Sequence, residues 1–314
     1  MMEMGINKTN DANNMAIEIA GVKFKNPIFA ASGTCGFGRE YLPYYSLNEI
    51  GAITTKGMSI TPREGNKAPR VAEAHGGMLN AVGLQNPGVE YFLEYELPHL
   101  KKYDVGIIAN IFGNTVEECA EAAGMLAGSG VDIIELNISC PNVKEGGIVF
   151  GTEPKMAEEI TLAVKKRAGN TPLSVKLSPN VTDIAKIARA VHDGGADAIS
   201  MINTLIGMRI DIKTRRPILK NNTGGLSGGA IKPVAVRMIW QVSQAVGLPI
   251  IGMGGVLSGE DAAELMIAGA SAVAVGTAAF DNPRAVIKIR DELGNYLMKN
   301  NTSASELTGS LEIW

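Results

Sequence analysis

The sequence predicts a closed (β/α)8 barrel of the TIM type, an α/β fold, on three observations. Eight short apolar runs alternate with helical patterns along the chain. The runs are almost continuously apolar, which suits strands of a parallel sheet covered on both faces. A faint repeat recurs in which a helix ends at glycine and a small-residue strand opens: Gly130-Val131-Asp132-Ile133-Ile134, Gly195-Ala196-Asp197-Ala198-Ile199 and Gly269-Ala270-Ser271-Ala272-Val273. A chain of 314 residues is long enough for two domains, but α/β barrels of about 250 residues or more form one.

Taken in order, residues 17–25 read as a small β-hairpin that closes the bottom of the barrel. The strands are expected at residues 27–31, 52–56, 106–111, 132–138, 173–177, 198–202, 249–253 and 272–275. Helical patterns fit residues 115–127, 154–167, 181–192, 233–246, 259–268 and 283–298, several opening with Thr, Ser or Pro as helix N-termini do. Two stretches break the rhythm, residues 57–103 after the second strand and 203–231 after the sixth. Long insertions at the C-terminal ends of barrel strands build lids and walls over active sites. The expected division is a flexible polar leader over residues 1–15 and a single barrel domain over residues 16–314.

Composition narrows the function. With 46% hydrophobic and 19% charged residues the chain buries a substantial core, which excludes disordered and fibrous classes. Lys+Arg 29 against Asp+Glu 32 gives a net charge of -3, which argues against a nucleic-acid surface and for a small ligand. Glycine is unusual at 37 of 314, about 12% against a typical 7%, so many loops need positive φ or close backbone approach. No run approaches the roughly 18 apolar residues of a membrane span and the start is polar, so a cytoplasmic protein without membrane attachment is expected. Cys35, Cys119 and Cys140 form no C-x-x-C pair, and His75, His99 and His192 show no ligand spacing, so neither a disulfide framework nor a metal site is expected. There is no G-x-G-x-x-G and no P-loop, leaving the barrel itself to grip any phosphate.

In such a barrel the residues that end each strand face the active site. Here they include Ser32-Gly33, Lys56-Gly57, Asn110, Asn137, Lys176, Asn203-Thr204, Gly254-Gly255 and Gly276-Thr277, far too polar for a core. The glycine turns after the seventh and eighth strands stand where barrels bind a phosphate on backbone N–H groups. Lys176 in the barrel mouth either forms a Schiff base or sits as a fixed cation beside a developing anion. Cys140, in a polar strand-end loop, is a candidate nucleophile or general base. Cys119 on an apolar helix face and Cys35 in a glycine-rich loop read as packing residues.

Taken together, Ala31-Ser32-Gly33-Thr34, Thr55-Lys56-Gly57, residues 80–88 (Asn-Ala-Val-Gly-Leu-Gln-Asn-Pro-Gly), Asn137-Ile138-Ser139-Cys140-Pro141-Asn142, Val175-Lys176-Leu177-Ser178-Pro179, Asn203-Thr204, Gly224-Gly225-Leu226-Ser227-Gly228, Gly252-Met253-Gly254-Gly255 and Val275-Gly276-Thr277 resemble the dihydroorotate dehydrogenase family, flavoenzymes of de novo pyrimidine biosynthesis. The resemblance runs from about Ile17 to the C-terminus. It implies one FMN per chain, its phosphate on Gly254, Gly255, Gly276 and Thr277, and its ring system lined by Ser32, Lys56, Gly57, Asn110, Asn137, Lys176, Ile202 and Gly228. Positions that match the family's substrate site are Lys56, Asn80, Ala81, Val82, Gly83, Leu84, Asn137, Asn203 and Thr204. Cys140 matches the catalytic base, taking a proton from C5 of dihydroorotate as hydride leaves C6, with Lys176 offsetting the charge of reduced flavin.

Cysteine at this position, rather than serine, implies the soluble class 1 enzymes. Residues 141–147 (Pro-Asn-Val-Lys-Glu-Gly-Gly) and Arg63-Glu64-Gly65-Asn66 are similar to the NAD-linked subclass 1B catalytic subunit. That similarity implies a homodimer joined by an electron-transfer subunit bearing FAD and a [2Fe-2S] cluster, a heterotetramer. Cys35 departs from the aromatic residue expected in that loop. The alternatives are a class 1A enzyme that passes electrons to fumarate and a Schiff-base lyase on the same barrel.

Overall fold

The computed structural model describes residues 14–139 and 147–314. Eight parallel strands close into a barrel in chain order: Ile28–Ala30, Ala52–Thr54, Gly106–Ile111, Ile133–Asn137, Leu173–Lys176, Ala198–Met201, Ile250–Met253 and Ala272–Val275. Each lies within the run its sequence marks, because every run is apolar enough to be buried on both sides. The last strand pairs with the first through Val273 beside Ile28 and Ala274 beside Phe29, which closes the ring.

Five of the helices that coat the barrel carry the marks that predict them. Val116–Leu126 is capped by Thr115, whose hydroxyl accepts from the Glu118 N–H at 3.2 Å. Pro154–Ala168 opens on proline. Asp183, not residue 181, caps Ile184–Asp193, so this helix starts three residues later than its pattern suggests. Lys232–Ser243 has proline in its first turn, and Gly259–Ile267 opens on a Ser258 capping box closed by Asp261. The last long helix, Ala285–Lys299, buries Leu293 and Leu297 completely. The first βα unit departs from the pattern: only short 3-10 turns, Arg39–Tyr41 and Leu47–Glu49, join its strands.

The hairpin Ile17–Ile19 and Val22–Phe24 closes the bottom of the barrel as expected. Its Phe24 ring lies 4.9 Å from that of Phe29 in the first barrel strand. At the base of the third strand only glycine fits, since a Cβ on Gly106 would lie 2.3 Å from the Phe24 ring. Of the expected leader, residues 1–13 lie outside the described residues, while Met15 already packs against the core.

The two insertions meet. Val71–Ala74 and Gly77–Asn80 from the first join Leu205–Gly207 and Gly224–Ser227 from the second in one antiparallel sheet. A two-stranded ribbon, Ile210–Asp211 with Arg216–Pro217, extends from the second insertion. The first insertion also holds a helical stretch, residues 89–100, with a π-turn at Phe92–Glu96.

Candidate active site

A cavity of about 390 Å³ lies at the C-terminal ends of the barrel strands and is walled by both insertions. That size is within the usual range for small-molecule sites. Among the described residues its only charged lining groups are Lys56 and Lys176, and no carboxylate lines it. Four asparagines, Asn80, Asn110, Asn137 and Asn203, add groups that both donate and accept. An anionic, amide-rich ligand suits such a lining.

The wall nearest strands seven and eight is built on glycine. Gly254 (φ 124) and Gly255 (φ 80) adopt backbone conformations open to glycine, and a Cβ on Gly255 would lie 2.7 Å from the Lys232 Cβ. Opposite them, the hydroxyl of Thr277 lies 2.8 Å from that of Ser227. A Cβ on Gly276 would make only ordinary contacts, with Ala31 and Thr34 at 3.6 Å, and Gly276 lines the cavity. Amides and hydroxyls converging on an open cradle fit a phosphate.

Ser139, 1% exposed, is held from two sides. Its hydroxyl and N–H donate to Asn137 Oδ1 at 2.8 and 3.1 Å, and Asn203 Nδ2 donates to the same hydroxyl at 2.8 Å. Asn137 therefore spends its oxygen on Ser139 and offers its Nδ2 to a ligand. Asn203 Oδ1 in turn accepts the Thr204 N–H at 2.9 Å, and Asn180 donates to the Thr204 carbonyl at 3.0 Å. The clamp fixes the chain immediately before Cys140, which lies outside the described residues.

All twelve residues expected to hold a cofactor line this one cavity: Ser32, Lys56, Gly57, Asn110, Asn137, Lys176, Ile202, Gly228, Gly254, Gly255, Gly276 and Thr277. Of the expected substrate residues, Asn80, Val82, Gly83, Leu84, Asn203 and Thr204 join them. Ala81 does not. Alternation along the strand sends Met78 and Asn80 to the cavity, whereas Leu79 and Ala81 point away and pack with Leu219. Met78 was missed for want of any polar signal, although the same alternation identifies it. Val71, Leu257 and Phe280 add apolar wall, and each remains about half exposed.

The described thiols are packing residues. Burial pushes the Cys35 thiol up to about 12, and it donates to the carbonyls of Ala31 and Thr54 at 3.3 Å. Burial likewise pushes Cys119 up to about 12. Among the described residues no group of His, Cys, Asp and Glu could hold a metal.

Residues 14–297 match the family model described as dihydroorotate dehydrogenase. The chain is 56% identical over 299 residues to a protein of Alkaliphilus metalliredigens (strain QYMF), covering 95% of this chain and 99% of that one. It is 54% identical over 302 residues to one of Geobacter sp. (strain M21), covering 96% and 99%. A third, from Anoxybacillus flavithermus (strain DSM 21510 / WK1), is 58% identical over 282 residues, 90% of each chain. All three bear the name dihydroorotate dehydrogenase B (NAD(+)), catalytic subunit.

Proposed function

The chain belongs to the dihydroorotate dehydrogenase family, and from that premise we propose that it oxidises (S)-dihydroorotate to orotate as an FMN-dependent catalytic subunit whose electrons reach NAD through a second subunit. The observation that carries this reading is the single cavity that gathers two lysines, four asparagines and the glycine turns after strands seven and eight.

The residues fit FMN. Gly254, Gly255, Gly276 and Thr277 would hold its phosphate, and the buried Asn110 Oδ1, without a partner among the described residues, offers an acceptor to a ligand donor. When bound, FMN supplies the two-electron acceptor for the hydride from C6 of the substrate. Lys176, 5% exposed, sets a cation in a dry site and favours negative charge gained there. Lys56 suits the substrate carboxylate, while Asn80, Asn137 and Asn203 suit its ring amides. Cys140 takes the C5 proton as general base, and the Ser139 clamp holds the residue immediately before it.

Names of relatives that read "catalytic subunit" favour a partner, and we place FAD and a [2Fe-2S] cluster on that partner. The same names, all NAD-linked, weigh against fumarate as acceptor, and the family match weighs against a Schiff-base lyase. A homodimer within a heterotetramer completes the proposal, with a cytoplasmic location; no helix among the described residues is long and apolar enough to cross a membrane. The test is an acceptor panel. The isolated chain should reduce artificial dyes with dihydroorotate and leave NAD untouched, and co-expression with its electron-transfer partner should add NAD reduction. Rapid turnover with fumarate, or NAD reduction by the isolated chain, would overturn the subunit reading.

A further inference from the structure

Directly beneath the cavity floor lies a carboxylate that the chemistry above does not use. Asn137, Lys176, Ile202 and Lys56 line the cavity. Two residues back along the same strands stand Glu135, Ser174, Ser200 and Thr54, at most 1% exposed. Period-two alternation turns these toward the barrel interior as well. Barrel interiors are ordinarily filled with branched apolar side chains. Here each of the four has an oxygen with no hydrogen-bond partner among the described residues: Glu135 Oε2 and the hydroxyls of Ser174, Ser200 and Thr54. Burying a carboxylate in this way is costly, and for packing alone an apolar residue would do better.

One hydrogen bond of Glu135 reaches a residue that lines the cavity. Across the strand register it stands beside Asn110, and its Oε1 accepts a short hydrogen bond from Asn110 Nδ2. A carboxylate offers only acceptors, so the amide cannot reverse without setting two oxygens against each other. Asn110 Oδ1 is thereby directed away from Glu135, and it is buried without a partner among the described residues. Gly57 supports the same assignment. Its φ lies outside the left-handed region, so its backbone does not demand glycine. A Cβ there would nonetheless lie 2.6 Å from Asn110 Oδ1. Glycine at 57 keeps that oxygen uncovered on the cavity wall.

We propose that Glu135 is a positioning residue: it locks the Asn110 amide so that Oδ1 faces the site as an acceptor for the N3–H of the FMN ring. This rests on the FMN reading above. The oxidised flavin ring carries a single N–H, at N3, so its methylation removes the only ring donor able to satisfy the oxygen.

The test compares FMN with N3-methyl-FMN on full-length protein stripped of flavin, with binding followed by quenching of flavin fluorescence. Wild type should bind FMN about 10- to 100-fold more tightly than the methyl analogue, the range for one donor lost to a buried acceptor. In Glu135→Leu, and more weakly in Glu135→Gln, whose amide can present either end, that ratio should collapse toward one. Asn110→Asp sets two carboxylates against each other and should bind FMN poorly. Adding Glu135→Gln to Asn110→Asp restores a donor facing an acceptor and should recover both binding and discrimination, which a merely structural role would not produce. Thermal midpoints identify any variant that fails to fold, and the rescued double variant then carries the decision. Retained discrimination in Glu135→Leu, no discrimination in wild type, or no rescue in the double variant would each overturn the assignment while leaving FMN as cofactor. Failure of wild type to bind FMN at all would instead overturn the cofactor reading and this proposal with it.

Discussion

At the scale of single residues, burial sets the chemistry of two of the three cysteines. Burial pushes the Cys35 and Cys119 thiols up to about 12, which disfavours the reactive thiolate at either position at pH 8. Iodoacetamide at pH 8 should therefore label native protein at Cys140 alone, with dihydroorotate or orotate slowing the reaction; peptide mapping that finds Cys35 or Cys119 labelled first would contradict this. If Cys140 is the general base, Cys140→Ala should retain FMN and lose flavin reduction by about two to four orders of magnitude. Stopped-flow reduction near the wild-type rate would remove Cys140 from the mechanism. Lys176 is 5% exposed, and Lys176→Met keeps its stem while deleting its charge. Its flavin should become harder to reduce and bind more weakly, since a negative charge gained in a dry site would lose its counter-ion. A dye-equilibrated reduction potential equal to wild type would refute that role, and a borohydride-trapped adduct on Lys176 would support lyase chemistry instead.

At the scale of elements, the site depends on where turns and helix caps hold the cavity walls. Gly228 (φ 105) ends the strand Gly224–Ser227, and a Cβ there would lie 2.5 Å from the Gly77 Cα in the other insertion. Gly228→Ala combines backbone strain of about 1–3 kcal/mol with a clash between the insertions, so both thermal midpoint and flavin content of the purified protein should fall. Unchanged values for both would mean that this contact does not hold the wall. Behind Gly255, Lys232 bridges Asp261 and Glu264 at 2.6 Å each. Burial acts to raise the Asp261 carboxyl, but hydrogen bonds from Lys232, Leu257 N–H and Ser258 outweigh it and hold it below its ordinary value of 3.8. A folded-state value depressed in this way contributes stability above the unfolded value and loses it as pH falls through the folded one. Asp261→Asn should thus lower the urea midpoint at pH 7, and the gap to wild type should narrow below pH 3.8. A gap that stays constant with pH would show that the charge is not what stabilises this corner.

At the scale of the whole molecule, the barrel was legible because its signals are local. Each strand, such as Gly106–Ile111, is a short apolar run, and helices such as Gly259–Ile267 announce themselves at their caps. The sheet over the mouth was not legible. Val71–Ala74 alternates exposed and half-buried residues without a strong apolar face, and Asn80 bonds to Gly225 across 145 residues of chain, a pairing that no local pattern encodes. The described polar strand ends Ser32, Lys56, Asn110, Asn137, Lys176, Asn203 and Thr277 line the cavity because the barrel dictates where strand ends point, while Cys140 lies outside the described residues. Ala81 lies off the cavity, packed with Leu79 and Leu219, because successive residues of its motif alternate between the cavity and that small cluster. Glu135 escaped notice because a single Glu inside an apolar strand reads as part of that strand. If this barrel holds a flavin that dihydroorotate reduces, anaerobic titration of the purified chain with dihydroorotate reveals it. The protein should be yellow, with about one FMN per chain, and its visible absorption should bleach in proportion to dihydroorotate added, with orotate appearing in equal amount. Colourless protein that takes up no FMN, or a bound flavin left unbleached by excess dihydroorotate, would contradict the claim.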